Sequence, residues 1–171
     1  MENILPEQPA GAGKSARPTF LTVLCILTFI GSGWGIISGI TGYLSADAAS
    51  GITQAAMQDA REQLEDEDNP AANLTEKIFS GTSEMMVPAN LKKNAVMGMI
   101  ASIFTLLGGV LMFKLKKNGY YSYILGTLIG IAAPFVAFGT SNFMAIASSS
   151  LIALFGIAFV VLYGVNFKHL Q

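Results

Sequence analysis

The residues from Phe20 to Leu44 run for 25 positions without a formal charge. At about 1.5 Å of rise per residue, a helix of that length crosses a hydrocarbon layer of about 30 Å with some length left for tilt. Three further apolar blocks follow, 95–113, 120–138 and 143–163, and none of the four contains Asp, Glu, Lys, Arg or His. The chain is 52% hydrophobic and only 12% charged, and its charges fall almost wholly outside these blocks, which is the composition of a membrane protein. The pattern predicts an all-α fold, a transmembrane four-helix bundle with a helical, acidic, extracytoplasmic hairpin between spans one and two.

The same distribution excludes several classes of function. A net charge of −1 leaves no basic field to hold nucleic acid. The one cysteine, Cys25, lies in the first block, so no intramolecular disulfide and no thiol pair for a metal is available. No cofactor motif is present, and no catalytic or metal-binding residues are assigned. Residues 1–17 are polar, carry Pro6, Pro9, Gly11 and Gly13, and read as a disordered cytoplasmic tail. Lys14 and Arg17 precede an apolar block too long for a cleaved signal, so the expectation is an uncleaved anchor.

Residues 45–93 form the long polar segment, with nine acidic residues against four basic ones. Ile52, Ala56, Ala60 and Leu64 repeat every four residues, which predicts an amphipathic helix over 51–64. Asn69 and Pro70 fit a cap and first turn for a second helix, with Leu74 and Ile78 on its apolar face and Gly81 as its stop. Val87 and Pro88 then open the helix of the second span, with Asn94 near its interfacial end. The acids Asp59, Glu62, Glu65, Asp66, Glu67 and Asp68 are assigned as a partner surface. They lack the spacing of a calcium loop, and four consecutive acids cannot all face one ion.

Orientation follows from the basic residues. Lys114, Lys116 and Lys117 crowd the turn between spans two and three, whereas the uncharged residues 139–142 join spans three and four. Such a compact basic loop points to the cytoplasm, which puts both termini there as well. Lys92 and Lys93, near the opposite end, weigh against this. Tyr120, Tyr121, Tyr123, Tyr163 and Phe167 are expected to form an inner aromatic belt.

Within the spans, small residues recur at helical spacing. Gly31, Gly35, Ser38 and Gly42 share a face in the first span, flanked by Thr28 and Gly39. Gly98, Ser102, Thr105 and Gly109 do so in the second, Gly126, Gly130, Ala133 and Ala137 in the third, and Ser149, Ala153 and Gly156 in the fourth. These stripes predict close helix packing around a centre with little free space. Pro134 is the candidate hinge, with a static bend as the plainer alternative.

The opening run Arg17 to Gly33, the acidic loop, the turn Lys114 to Tyr121 and the closing Tyr163 to Leu170 resemble a group of small bacterial four-span membrane proteins of uncharacterised activity. The resemblance implies a bacterial cytoplasmic (inner) membrane and supplies no reaction. His169, the sole histidine, sits beside Lys168 near the carboxyl end, so no serine in the spans has a histidine partner. The resulting expectation is a non-enzymatic structural or accessory subunit that meets the lipid bilayer, another membrane protein or further copies of itself. The alternative is a carrier or channel for a small neutral or lipid-like solute, with Pro134 and Ser148 to Ser150 lining a niche. The absence of ionisable residues in the spans argues against ion-coupled transport.

Overall fold

The computed structural model describes residues 18–64 and 72–171, with the side chains of 61–64 and 72 left aside. The expected tail over 1–17, the acids Glu65 to Asp68 and the Asn69–Pro70 cap lie outside the described residues, as does the side chain of Glu62. The described residues form five α-helices and one short 3-10 turn, with no strand among them: α1 (Thr19–Leu64), α2 (Ala72–Met85), α3 (Pro88–Phe113), α4 (Asn118–Phe138), α5 (Phe143–Val165) and the turn Phe167–His169. Four helices, α1, α3, α4 and α5, are long and apolar enough to cross a membrane.

Helix α1 does not stop at Leu44. It continues unbroken for 46 residues, roughly 69 Å, so the first span and the predicted amphipathic helix are one rod. The reason is local. Between Leu44 and Leu64 the chain supplies six alanines, no proline and a single glycine, Gly51, whose cost of about 1 kcal/mol does not break a helix fixed on both sides. On the extension, Ile52 and Ala56 of the predicted apolar stripe are exposed. Helix α2 also runs through Gly81, to Met85, and packs chiefly on α5 rather than along α1.

The spans form a row. Helix α3 lies between α1 and α4, and α4 lies between α3 and α5, while α1 and α5 have little contact. The α3–α4 pair is the tightest. A Cβ on Gly108 would stand 2.7 Å from the Tyr123 backbone nitrogen, and one on Gly119 would stand 2.6 Å from both the Gly108 carbonyl oxygen and the Met112 nitrogen. One on Gly126 would lie 2.8 Å from the Ala101 carbonyl oxygen. Such backbone approach is what glycine at an interhelical seam permits. Helix α1 joins this pair through Gly35 against Ser102, Gly39 against Met99, and Gly109 against Thr28 and Phe29.

At one end the row is closed by a core of Leu21, Leu24, Cys25, Met112, Tyr123, Tyr163 and Leu170, with Phe29, Phe113, Phe159 and Phe167 packed around it. Tyr123 and Tyr163 are therefore core residues rather than belt residues. Their rings meet edge to face at 5.0 Å. The basic turn lies at this end, with Lys114, Lys116 and Lys117 exposed. Gln171 folds back onto it, donating its N–H to the Leu115 carbonyl at 2.6 Å and accepting from the Lys117 N–H at 2.9 Å.

Because the Gly119 neighbours are backbone atoms that cannot rotate away, Gly119→Val is expected to destabilise the fold by about 1–3 kcal/mol or more. Gly31 has nothing within 4 Å of a Cβ, so Gly31→Ala is expected to be neutral or to stabilise by about 0.5–1 kcal/mol. Reversible unfolding of both variants in detergent micelles measures the contrast.

Candidate functional site: a cleft between the first and last spans

Away from the closed end, the helix row does not curl into a sealed bundle. A cavity of about 820 Å³ opens between α1 and α5, floored by α3 and α4. The expectation of a centre with little free space is thus not what is observed. The order of the row accounts for it: the α3–α4 pair stands between the outer helices and spaces them apart away from the closed end.

At the base the two outer helices are tied together by the Thr28 Oγ1 and Tyr163 Oη hydroxyls, 2.7 Å apart and buried. Thr127 Oγ1 donates to the Tyr123 carbonyl of its own helix at 3.0 Å. One turn further along, Ser32 and Thr105 share a hydrogen bond at 2.8 Å, and Thr105 lies 3.0 Å from the Ser102 carbonyl, to which it donates. Thr105 then accepts from Ser32, which fixes the direction of the pair.

The walls differ in character. The α1 and α3 side presents Thr28, Ser32, Asn94, Ser102 and Thr105, whereas α5 presents Leu151, Ile152, Phe155 and Phe159, with Ser148 as its polar group. Among the described residues no Asp, Glu, Lys, Arg or His lines the cavity. The opening runs along the flank of the helix row. Its rims are Leu27 and Trp34 on α1 and Leu151 and Phe155 on α5, all exposed, with Trp34 at 70%.

The far end is capped by the junction of α2 with the α4–α5 turn. Met85 and Phe138 reach the cavity there. Asn142 caps α5 by accepting from the Ala145 N–H at 3.1 Å, and its Nδ2 donates to the Gly81 carbonyl at 3.0 Å and to Glu84 Oε2 at 2.8 Å. Lys92 is paired with Asp47 on the α1 extension at 2.8 Å.

The predicted small residues divide into three groups. Gly35, Gly109, Gly126 and Gly156 stand at helix contacts, Gly156 against Thr127, and Gly42 is in looser contact with Ala95. Gly31 and Gly98 face open space and line the cavity, where Ser102, Thr105, Gly130 and Ala133 join them. Ser38 is exposed on the outer side of α1, and the flanking Gly39 occupies the contact instead. Of the expected niche, Pro134 and Ser148 line the cavity, Ser149 is buried and donates to the Ile131 carbonyl of α4 at 3.1 Å, and Ser150 points outward to its own helix. Pro134 sits inside an α4 that continues to Phe138. Asp59 is exposed on the α1 extension, remote from the cavity.

Trp34, Asn94, Tyr123 and Tyr163 carry the cleft and were not assigned to it from sequence. Asn94 had a usable signal, since it extends the α3 stripe by one step of four from Gly98. Chemically, the cleft offers hydroxyls and one amide, with no acid or base to move a proton at neutral pH and no serine paired to a histidine. Among the described residues no group of three or more His, Cys, Asp or Glu side chains is placed to hold a metal ion. No family model matches the chain, and neither does any curated protein or solved structure.

The Thr28–Tyr163 pair lies in apolar surroundings, so a double-mutant cycle of Thr28→Val and Tyr163→Phe is expected to give a coupling energy of about 0.6–1.7 kcal/mol. Unfolding equilibria of the four proteins in micelles measure it, and a coupling of zero would mean that packing alone holds the base closed.

Proposed function

We propose that the protein is a non-enzymatic integral membrane protein that holds, and as a carrier passes on, an uncharged lipid-like molecule in the cleft between α1 and α5. The observation that carries this reading is the cavity itself. Its volume, about 820 Å³, falls within the range of about 300–1,000 Å³ usual for small-molecule sites. Among the described residues its lining has no Asp, Glu, Lys, Arg or His to compensate a charged ligand in a low-dielectric setting. Its mouth lies on the side that faces hydrocarbon when the spans are seated in a bilayer, so molecules reach it by lateral movement within the membrane.

A second reading, a structural or accessory subunit, rests on α5. Only 11% of its apolar stretch is buried, and Leu154, Phe155, Ile157 and Val161 all point outward. That surface suits a neighbouring membrane protein or a second copy. The acids of the α1 extension, from Asp59 onward, are the surface such a partner would meet outside the membrane.

The membrane is taken to be a bacterial cytoplasmic membrane with both termini inside. The exposed lysines at the closed end support this orientation. So does the pairing of Lys92 with Asp47, which removes one of the two lysines that weighed against it. Cys25 is fully buried, so introduced cysteines report without background. In intact cells, Asp59→Cys is expected to react with a membrane-impermeant maleimide, and Lys116→Cys only after permeabilisation. The reverse pattern would invert the topology.

The functional test compares the wild type with Gly98→Leu, which fills the open space beside α3. Native mass spectrometry of protein taken from its own membrane in mild detergent is expected to show one small apolar molecule per wild-type chain and none on the variant. Equal occupancy in both would end the carrier reading, and stable co-purification with one other membrane protein would put the accessory reading in its place.

A further inference from the structure

Most polar groups of the cleft are already satisfied. Thr28 and Tyr163 bond each other, Ser32 bonds Thr105, and Thr105 donates to the Ser102 carbonyl. The Asn94 amide lines the cavity without a hydrogen bond to the described residues, as do the Trp34 indole N–H at the rim and the Ser102 hydroxyl, which is seated against Gly35 in the α1–α3 contact. Asn94 and Ser102 stand eight residues apart on one face of α3, roughly 12 Å along the axis, too far for one hydroxyl or carbonyl to bond both. Gly98 lies between them, and a Cβ there would meet nothing within 4 Å. Open volume beside a half-exposed donor–acceptor amide that bonds no other described residue, in a lining that is otherwise largely apolar or internally bonded, suits a bound polar group.

Resting on the cleft reading above, we propose that the ligand is a single-chain amphiphile with an uncharged hydrogen-bonding head, a hydroxyl or carbonyl group of the alcohol or ester class. Its head sits beside Gly98 against the Asn94 amide, and its chain runs toward Phe159 at the base. An amide donates to a carbonyl through its NH2 and accepts from a hydroxyl through its oxygen, so both head chemistries are served. A carboxylate or phosphate is disfavoured because no cation lines the cavity. The direction is set by the two ends of the cleft. The head lies toward the end capped by α2, and below Thr105 the Thr28 and Tyr163 hydroxyls bond each other while Thr127 donates to the Tyr123 carbonyl.

The chain carries its own reporter. Trp34 is the sole tryptophan and stands on the rim of the cleft. In phosphatidylcholine nanodiscs, quenching of its fluorescence is measured with three probes brominated at the same chain position: a long-chain alcohol, the matching carboxylate and the matching alkane. Gly98→Leu supplies the non-saturable quenching from the bilayer. The alcohol is expected to quench saturably and about tenfold more tightly than the alkane, the difference that about one net hydrogen bond supplies. Asn94→Leu is expected to bring the alcohol to the level of the alkane, whereas Ser102→Ala leaves it unchanged. Neither side chain bonds the protein, so helicity and sizing of these variants should match the wild type.

If the alkane binds as tightly as the alcohol, or Asn94→Leu leaves the alcohol unchanged, the head-group assignment is wrong while the cleft reading stands. A carboxylate that matches the alcohol overturns the requirement for an uncharged head. Absence of saturable quenching by any probe removes the cleft reading itself.

Discussion

Everything in this molecule hangs on the backbone contact between α3 and α4. At Gly108, Gly119 and Gly126 the two helices come so close that a single Cβ would collide with main-chain atoms. In a bilayer no hydrophobic force drives helices together, because lipid tails are as apolar as leucine. Association then depends on van der Waals contact, which falls off within an ångström of the optimum, so glycine seams dominate. The remaining spans are attached to this spine on separate sides. Helix α1 is seated on α3 and α5 on α4, and neither has much to hold it to the other.

That arrangement explains how a chain without a charge in the predicted spans maintains an opening. Helix α5 is fixed to α4 by Gly156 against Thr127 and by Ser149 on the Ile131 carbonyl. Its lower end is bonded to α1 through Tyr163, and its upper end is clasped by Glu84 and Gly81 of α2 through Asn142. Helix α1 is held by α3 as far as Gly42 and by the Asp47–Lys92 pair beyond. Polar contacts therefore fix the width of the cleft at its two ends. Between them the walls are exposed side chains.

The spans were legible because the bilayer imposes one dominant requirement, about 20 apolar residues, and hydropathy reads it directly. The continuation of α1 past Leu44 was obscured by the change from apolar to polar residues, which marks the membrane surface and not the end of a helix. The small-residue stripes were half legible. Periodicity tells which residues of a helix share a face, but not whether another helix stands opposite. Gly35 and Gly31 belong to one stripe, yet Gly35 abuts Ser102 while Gly31 borders the cavity. Ser38 and Gly39 differ by one position, and the contact falls on the glycine because α3 crosses α1 at an angle the sequence of either helix does not encode. Tyr123 and Tyr163 have the places near span ends that belt residues occupy, and only tertiary packing reveals that both turn inward.

A cleft whose polar groups mostly bond one another differs from a water-filled pore. Water in a pore needs a continuous run of partners along its path. Here the hydroxyls are consumed in pairs between α1 and its neighbours, and the α5 wall offers little but hydrocarbon below Ser148. A continuous file of water would face an apolar wall along most of its length, and at the base it would meet the closed packing of Leu21, Leu24, Cys25 and Tyr163. The opening that remains is sideways, between Trp34 on one rim and Phe155 on the other. Hydrocarbon can enter by that route without dehydration, since it leaves one apolar surrounding for another. Under the proposed carrier function, selection then falls to the Asn94 amide beside Gly98.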